Sequence, residues 1–343
     1  MELRYKKRML EFQVPAGTSR GKLQTKPSYF LFLEHNNTIG VGECSIIPKL
    51  SIDHREDYEE RLETTIKAFN SRVDLPDLTD FPSIEAGIQM AVDSLEDQRT
   101  KQTSGKAYTK HFHPIEINGL VWMGDYDSMK GQIDELMAKK FTCIKLKIGG
   151  IDFDQEIALL EYIRKEYKRL ITIRLDANGA FSPKDALSRL KKLKKYHIHS
   201  IEQPIEIGNL KVLKELCQTS PIPIALDEEL IKTAPAVGKY ALLNYIRPQF
   251  IVIKPSLLGG YLNALEWIEI AENLNIGWWI TSALESNVGL NSIASWIGQY
   301  DLTIPQGLGT GSLFKNNIQV PLSIKNGYLR QNKRGTWQDL KSI

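Results

Sequence analysis

Residues 171–176 read Ile-Thr-Ile-Arg-Leu-Asp, a short apolar run that ends in an acid. The same phrase returns as Ser-Ile-Glu at 200–202 and as Ile-Pro-Ile-Ala-Leu-Asp at 222–227. Runs of this kind continue on both sides: Pro114–Val121, Thr142–Ile148, Phe250–Lys254, Gly277–Ser282 and Thr303–Leu308. Amphipathic helical stretches separate most of them, at the roughly 20 to 30 residues of a βα unit. Strands that alternate with helices require a parallel sheet, and eight such units close into a barrel. A doubly wound open sheet fits the alternation too, but it wants a Gly-rich first turn, which Gly124 and Asp125 do not supply.

Ahead of the barrel the pattern differs. Leu3–Val14, Ser28–Glu34 and Thr38–Cys44 read as strands, the last two joined at Asn36-Asn37, a hairpin-type turn. Pro15–Pro27, rich in turn formers, is expected to be a mobile loop. Helices are expected over Asp53–Asn70 and Ser83–Thr103. Strands followed by helices suggest a small α+β domain. The polar C-terminal stretch holds one more apolar run, Ile318–Ile324, expected to return as a strand to that first domain. The expected division is therefore an α+β domain of residues 1–112, completed by 312–343, and a barrel of residues 113–311.

The bulk composition excludes several classes. The 343 residues carry 44 basic and 41 acidic side chains, a formal charge of +3, which predicts neither nucleic-acid nor membrane binding. The lysine cluster Lys191, Lys192, Lys194 and Lys195 reads as the solvated face of a helix. Cys44, Cys143 and Cys217 are far apart, so neither a disulfide framework nor a cysteine zinc site is expected. Met1–Leu10 has four basic residues and no apolar core, unlike a signal peptide, and no apolar run reaches the roughly 18 residues that span a bilayer. A cytoplasmic protein acting on a small molecule is the expectation.

In a barrel, the C-terminal ends of the strands face one mouth, where active sites sit. Asp176, Glu202 and Asp227 end three consecutive runs. Adjacent strands lie about 4.8 Å apart, so the three carboxylates can converge, and they would repel without a cation between them. A single acid at a strand end is more often a helix cap. Three at one offset point to an all-oxygen site for a hard ion, Mg²⁺ with Mn²⁺ as its substitute. Lys145 and Lys147, two apart on one strand, face the same side. Lys254 ends the sixth run opposite them. For the pair Lys145 and Lys147, the neighbouring ammonium and a metal are expected to push the pKa values down, which makes a lysine a general base. Softer signals are Glu285 and Ser286 after the seventh run and the glycines of Gly307-Leu-Gly-Thr-Gly311, which suit either an anion or a tight turn. The pairs His111/His113 and His197/His199 stand near strand starts, on the wrong side for chemistry.

In this order, Lys-x-Lys, Asp, Glu, Asp, Lys, the chain resembles the enolase superfamily over essentially its whole length. The resemblance implies a modified (β/α)7β TIM barrel with an α+β capping domain built from both chain ends. It implies that Asp176, Glu202 and Asp227 bind Mg²⁺, that Lys147 is the base with Lys145 beside it, and that Lys254 acts from the opposite face. Two lysines, with no histidine on the seventh run, are similar to the muconate-lactonizing branch. Arg174, the Ser282–Ser286 stretch and the Gly307–Gly311 end resemble members of that branch that eliminate water from a cyclohexadiene carboxylate after taking its α-proton. Arg174, Ser282, Gly309, Thr310 and, in a loop of the cap, Ser19 would then contact substrate. Dipeptide epimerases of the branch carry Asp-x-Asp at the eighth strand, where this chain has Gly309-Thr310-Gly311. An N-succinylamino acid racemase, or related acid-sugar or dipeptide epimerase chemistry, remains an alternative, as does a barrel that binds a ligand without catalysis.

Overall fold

The computed structural model describes residues 1–18, 21–104, 112–233, 236–332 and 336–339. In its first part, β1 (Glu2–Thr18), β2 (Gly21–His35) and β3 (Thr38–Ser45) form an antiparallel sheet in that order. The side chains of β2 alternate between two buried faces, as a period of two requires. Tyr29, Leu31 and Leu33 pack beneath α1 (Tyr58–Ser71) and α2 (Pro82–Ser104), while Phe30 and Phe32 meet Ile318 and Val320 on the other side. Asn36 and Asn37 make the β2–β3 turn with φ of 47° and 62°, a pair asparagine tolerates better than most residues. The α2 backbone presses directly on β3: a Cβ on Gly42 would lie 2.0 Å from the Gly87 carbonyl oxygen.

Three expectations for this region are corrected. Pro15–Pro27 is largely strand, since β1 and β2 pair from Glu2↔Glu34 to Thr18↔Gly21. A register shift between Glu11 and Ala16 absorbs the irregularity, and ladder bonds outweigh the local preference for turns. The first helix begins at Tyr58, not Asp53. Asp53 instead turns its carboxylate to α2, where Oδ2 accepts the Ser83 N–H at 2.8 Å and Pro82 occupies the first helical position. The C-terminal strand is Leu322–Lys325 rather than Ile318–Ile324, the run being interrupted by Pro321, and it joins a sheet with Ile115–Glu116 instead of the first domain's sheet, on which Ile318 and Val320 pack.

Next come β4 (Ile115–Glu116), β5 (Gly119–Val121), α3 (Tyr126–Ala138), β6 (Cys143–Lys147), α4 (Phe153–Glu166), β7 (Thr172–Asp176), α5 (Ala186–Leu193), β8 (Ser200–Glu202), α6 (Leu210–Thr219) and β9 (Ile224–Leu226). They are followed by α7 (Ala236–Ile246), β10 (Phe250–Ile253), α8 (Pro255–Leu258), α9 (Gly260–Asn273), β11 (Gly277–Ile280) and α10 (Asn287–Ile297). Strands β5 to β11 form a seven-stranded sheet in sequence order, and its pairings are parallel. Leu190 and Leu193 of α5 are buried while the lysine run around them is exposed.

The eighth run contributes only Gln306 and Gly307 to the ladder, and these two close the barrel. The Gln306 N–H donates to the Glu116 carbonyl at 2.8 Å, and its carbonyl accepts the Asn118 N–H at 2.9 Å. On the far side the Gly307 N–H donates to the Ile280 carbonyl at 2.8 Å, and its carbonyl accepts the Ser282 N–H at 3.1 Å. The chain then runs back along the first sheet: the Lys315 N–H donates to the Glu11 carbonyl, and the Phe12 and Phe314 rings sit 4.8 Å apart. It ends in the hairpin β12 (Leu322–Lys325) and β13 (Tyr328–Gln331), which adds to β4.

The barrel interior is filled, not hollow. Trp279 lies with its ring 4.1 Å from the Arg174 guanidinium and 5.5 Å from Phe250. Both Trp279 and Arg174 are wholly buried, where such a cation–π pair is worth about 2 kcal/mol. The half-buried His199 stacks on Phe250 at 4.9 Å in the same layer, where burial and the Arg174 charge push its pKa down to about 4.

Candidate active site

Strand register brings the ionisable residues together. Lys147 is level with Asp176, Asp176 with Glu202, and Lys145 with Arg174 one step below. Asp227 and Lys254 each follow directly on the last residue of their strands, β9 and β10. Lys145 Nζ bridges two carboxylates, donating to Glu202 Oε2 at 2.7 Å and lying 3.1 Å from Asp176 Oδ2. Lys147 Nζ donates to Asp176 Oδ2 at 3.0 Å and to Asn178 Oδ1 at 2.8 Å. Lys254 Nζ donates to both oxygens of Asp227, at 2.6 and 2.5 Å.

The charges are strongly tuned. Burial opposes ionisation of Asp176, yet Lys147, Lys145 and Lys254 outweigh it and hold the carboxyl well below the usual range. Burial pushes Glu202 up to about 7, against the pull of Lys145. Among these carboxylates two of the ammoniums are shifted up. Burial lowers Lys145, but Glu202, Asp176 and Asp227 more than reverse it; burial also lowers Lys254, and Asp227 and Glu228 reverse that. Both ammoniums lie within 3.1 Å of a carboxylate oxygen.

Asn178 and Glu228 belong to the same group, although sequence reasoning passed over them. Asn178 sits in a left-handed turn with φ 43°, before Gly179 at 79°, which swings its amide back over the strand end. Its Oδ1 takes the Lys147 proton donor, and its Nδ2 donates to Glu228 Oε1 at 3.0 Å. The Asn-Gly pair just past a strand end was the available signal.

A cleft opens above this cluster. Its lining includes Lys145, Lys147, Asp176, Asn178 and Lys254, with Ser282, Gly309 and Thr310. Leu23, Ile47, Leu50 and Trp122 add an apolar part. Thr310 Oγ1 donates to Ser282 Oγ at 2.8 Å, and Ser282 Oγ donates to Glu285 Oε2 at 2.7 Å. Arg174 is elsewhere. It stands level with Lys145 but outside the cleft lining, giving Nη1 to the Pro305 carbonyl at 2.8 Å and reaching Asn118 Oδ1 at 3.5 Å. Of these two partners, Asn118 lines the cleft. Ser19 and His111 lie outside the described residues. His113 is exposed, and His197 pairs with Arg169 at 2.6 Å, away from this mouth.

Among the described residues no three His, Cys, Asp or Glu side chains stand as a ready-made metal cage, because each acid leans on an ammonium. The donor set nevertheless fits a hard divalent ion. It is all oxygen, it lies at consecutive strand ends, and Glu202 Oε1 is buried with no hydrogen-bond partner. A lone pair left in that state is costly unless a cation meets it.

Comparison with known proteins agrees with this geometry. The profile of a family described as "Enolase C-terminal domain-like" matches residues 128–335. The o-succinylbenzoate synthase of Desulfotalea psychrophila is 42% identical, over 96% of this chain and 98% of that protein. The crystal structure of MenC from the same organism superposes with a TM-score of 0.80 at 40% identity, covering 96% of this chain and 99% of that one. A substrate-liganded L-Ala-D/L-Glu epimerase from Bacillus subtilis has the same fold, with a TM-score of 0.82 at 18% identity over 98% of this chain and 97% of that one.

Proposed function

The chain belongs to the enolase C-terminal domain-like family and is an enzyme of the o-succinylbenzoate synthase type; from that premise we propose that it dehydrates 2-succinyl-6-hydroxy-2,4-cyclohexadiene-1-carboxylate to 2-succinylbenzoate, a step of menaquinone biosynthesis. The observation that carries the proposal is the cleft itself: Lys145 and Lys147 from β6 and Lys254 from the end of β10, each paired with a carboxylate, in a lining that is otherwise partly apolar.

In this reading Asp176, Glu202 and Asp227 hold Mg²⁺. When bound, the ion supplies positive charge against which a carboxylate can take up a second negative charge. Lys147 removes the α-proton, and its ammonium then delivers a proton to the departing hydroxyl on the same face. One C–H and one C–O bond break, water leaves, and the ring becomes aromatic. Asn178 Oδ1, 2.8 Å from Lys147 Nζ, orients that amine. Lys145 adds positive charge beneath it. Lys254, on the far side, stabilises the electron-rich ring from its other face. Leu23, Ile47, Leu50 and Trp122 shield the ring from water.

Lysines on both sides of the cleft also suit racemisation, in which one face loses a proton and the other gains it. Gly309 and Thr310 carry no charge to hold a free ammonium, so the substrate of that second reading is an N-acylated amino acid. The test is turnover of the diene by chelator-treated protein with and without Mg²⁺, followed as loss of diene absorbance. Fast Mg²⁺-dependent conversion is expected. A folded, Mg²⁺-loaded protein that leaves the diene untouched but racemises N-succinylamino acids would replace the first reading with the second.

A further inference from the structure

Leu284 has a left-handed backbone, φ 58°, a conformation that a branched side chain rarely adopts without being held there. Both of its peptide groups are held. Its N–H donates to Ser282 Oγ at 3.0 Å, and its carbonyl accepts from Lys26 Nζ at 2.8 Å. Lys26 belongs to β2, across the seam between the N-terminal sheet and the barrel, and has no exposed surface. Its ammonium also donates to Ser45 Oγ at 2.6 Å, and that hydroxyl in turn donates to the Ala283 carbonyl at 3.1 Å. Two residues further along the segment, Glu43 of β3 accepts the Ser286 N–H at 2.9 Å and its hydroxyl at 2.6 Å.

The segment so fixed is part of the cleft. The Leu284 side chain lines it and packs in the same apolar cluster as Leu23 of the N-terminal sheet. Removing an ammonium from water is costly, and Lys26 touches neither the cleft nor the reacting groups. Its charge faces the buried Glu43 and Glu285 carboxylates, and from that place its ammonium holds the Leu284 carbonyl.

We propose that Lys26 is a positioning residue: by holding the Leu284 peptide in its left-handed turn it aims the Leu284 side chain into the cleft, and so sets how tightly the apolar part of the substrate fits. This deepens the function proposed above and rests on it. The proton chemistry stays with Lys147 and its neighbours, so the effect falls on substrate fit and not on the chemical step.

The experiment is a double-mutant cycle of Lys26→Met and Leu284→Ala, with kcat and KM measured on the diene under saturating Mg²⁺. Each single variant is expected to raise KM by about tenfold with kcat changed by less than about threefold, and the double variant to be within about twofold of the worse single. A Lys26→Met enzyme with wild-type KM, or KM effects that multiply in the double variant, would overturn the proposal. If Lys26→Met does not fold, Ser45→Ala removes one of the ammonium's acceptors and is read in the same way. Hydrogen exchange of the Leu284 and Ser286 amides needs no substrate: about tenfold faster exchange in the Lys26 or Ser45 variant supports the hold, and unchanged exchange refutes it. Should the wild-type protein leave the diene unconverted, the proposed function fails, and the exchange result still decides whether Lys26 fixes Leu284.

Discussion

Replacing Lys147 by alanine tests the proposed chemistry most directly. The amine would handle the proton twice, once from the α-carbon and once toward the leaving hydroxyl. A positioned acid or base contributes about 10²- to 10⁴-fold per transfer, so losing both should reduce kcat by about 10⁴-fold or more, about 5.5 kcal/mol of barrier. The structural cost is much smaller. The side chain gives up two hydrogen bonds, to Asp176 and Asn178, while Asp176 keeps Lys145 at 3.1 Å. That loss should cost about 1–3 kcal/mol of stability, which leaves the protein folded. The assay is diene absorbance under saturating Mg²⁺, with circular dichroism as the check on folding. Lys147→Arg separates two roles, because a guanidinium keeps the charge but cannot serve as a base near neutral pH. Both variants should be equally inactive, with KM changed less than about tenfold. A folded Lys147→Ala protein retaining more than about 1% of wild-type turnover would refute the base assignment; an active Lys147→Arg would reduce Lys147 to an electrostatic role.

Two further outcomes concern stability. His199 is held neutral, its pKa depressed to about 4 by burial and Arg174, so the unfolded chain binds the extra proton between there and the ordinary histidine value. Its contribution is therefore full above about pH 6.5 and lost as pH falls toward 4, by about 1–2 kcal/mol once solvent screening of the half-buried ring is allowed for. Urea midpoints at pH 7 and 4.5 should draw closer together in His199→Gln than in the wild type. Gly307→Ala would place a Cβ 2.1 Å from Thr281 Oγ1 at the barrel seam, and should lower unfolding free energy by about 1–3 kcal/mol while impairing turnover, because Thr281 and Ser282 line the cleft. Wild-type stability in that variant would show that the seam can yield.

The strand-end acids and lysines were legible because one offset repeats through the sequence, and parallel register turns a shared offset into shared height. Arg174 was legible as a same-face neighbour of Asp176, but its burial was not. Two residues before Asp176 on a strand means the same face and a deeper position, where it meets Trp279. Asn178 was hidden because its role depends on a left-handed turn, not on spacing. The long β1–β2 ladder was hidden behind Pro, Gly and Ser composition, since pairing with a partner strand overrides local preference.

The seam at Gln306–Gly307 has a consequence for how the chain is made. Its partner on the first barrel strand, Asn118, leaves the ribosome about 190 residues earlier, which at about 5–20 residues per second is a wait of roughly 10 to 40 s. Throughout that interval β5 offers an unpaired edge, and β11 joins it as a second once it has emerged, each a template for pairing with a neighbouring chain. Two residues near the end of the sequence thus remove the nascent barrel's exposure to aggregation, and a weakened seam should show first as poor yield during synthesis, before any loss of activity in the protein that succeeds in closing.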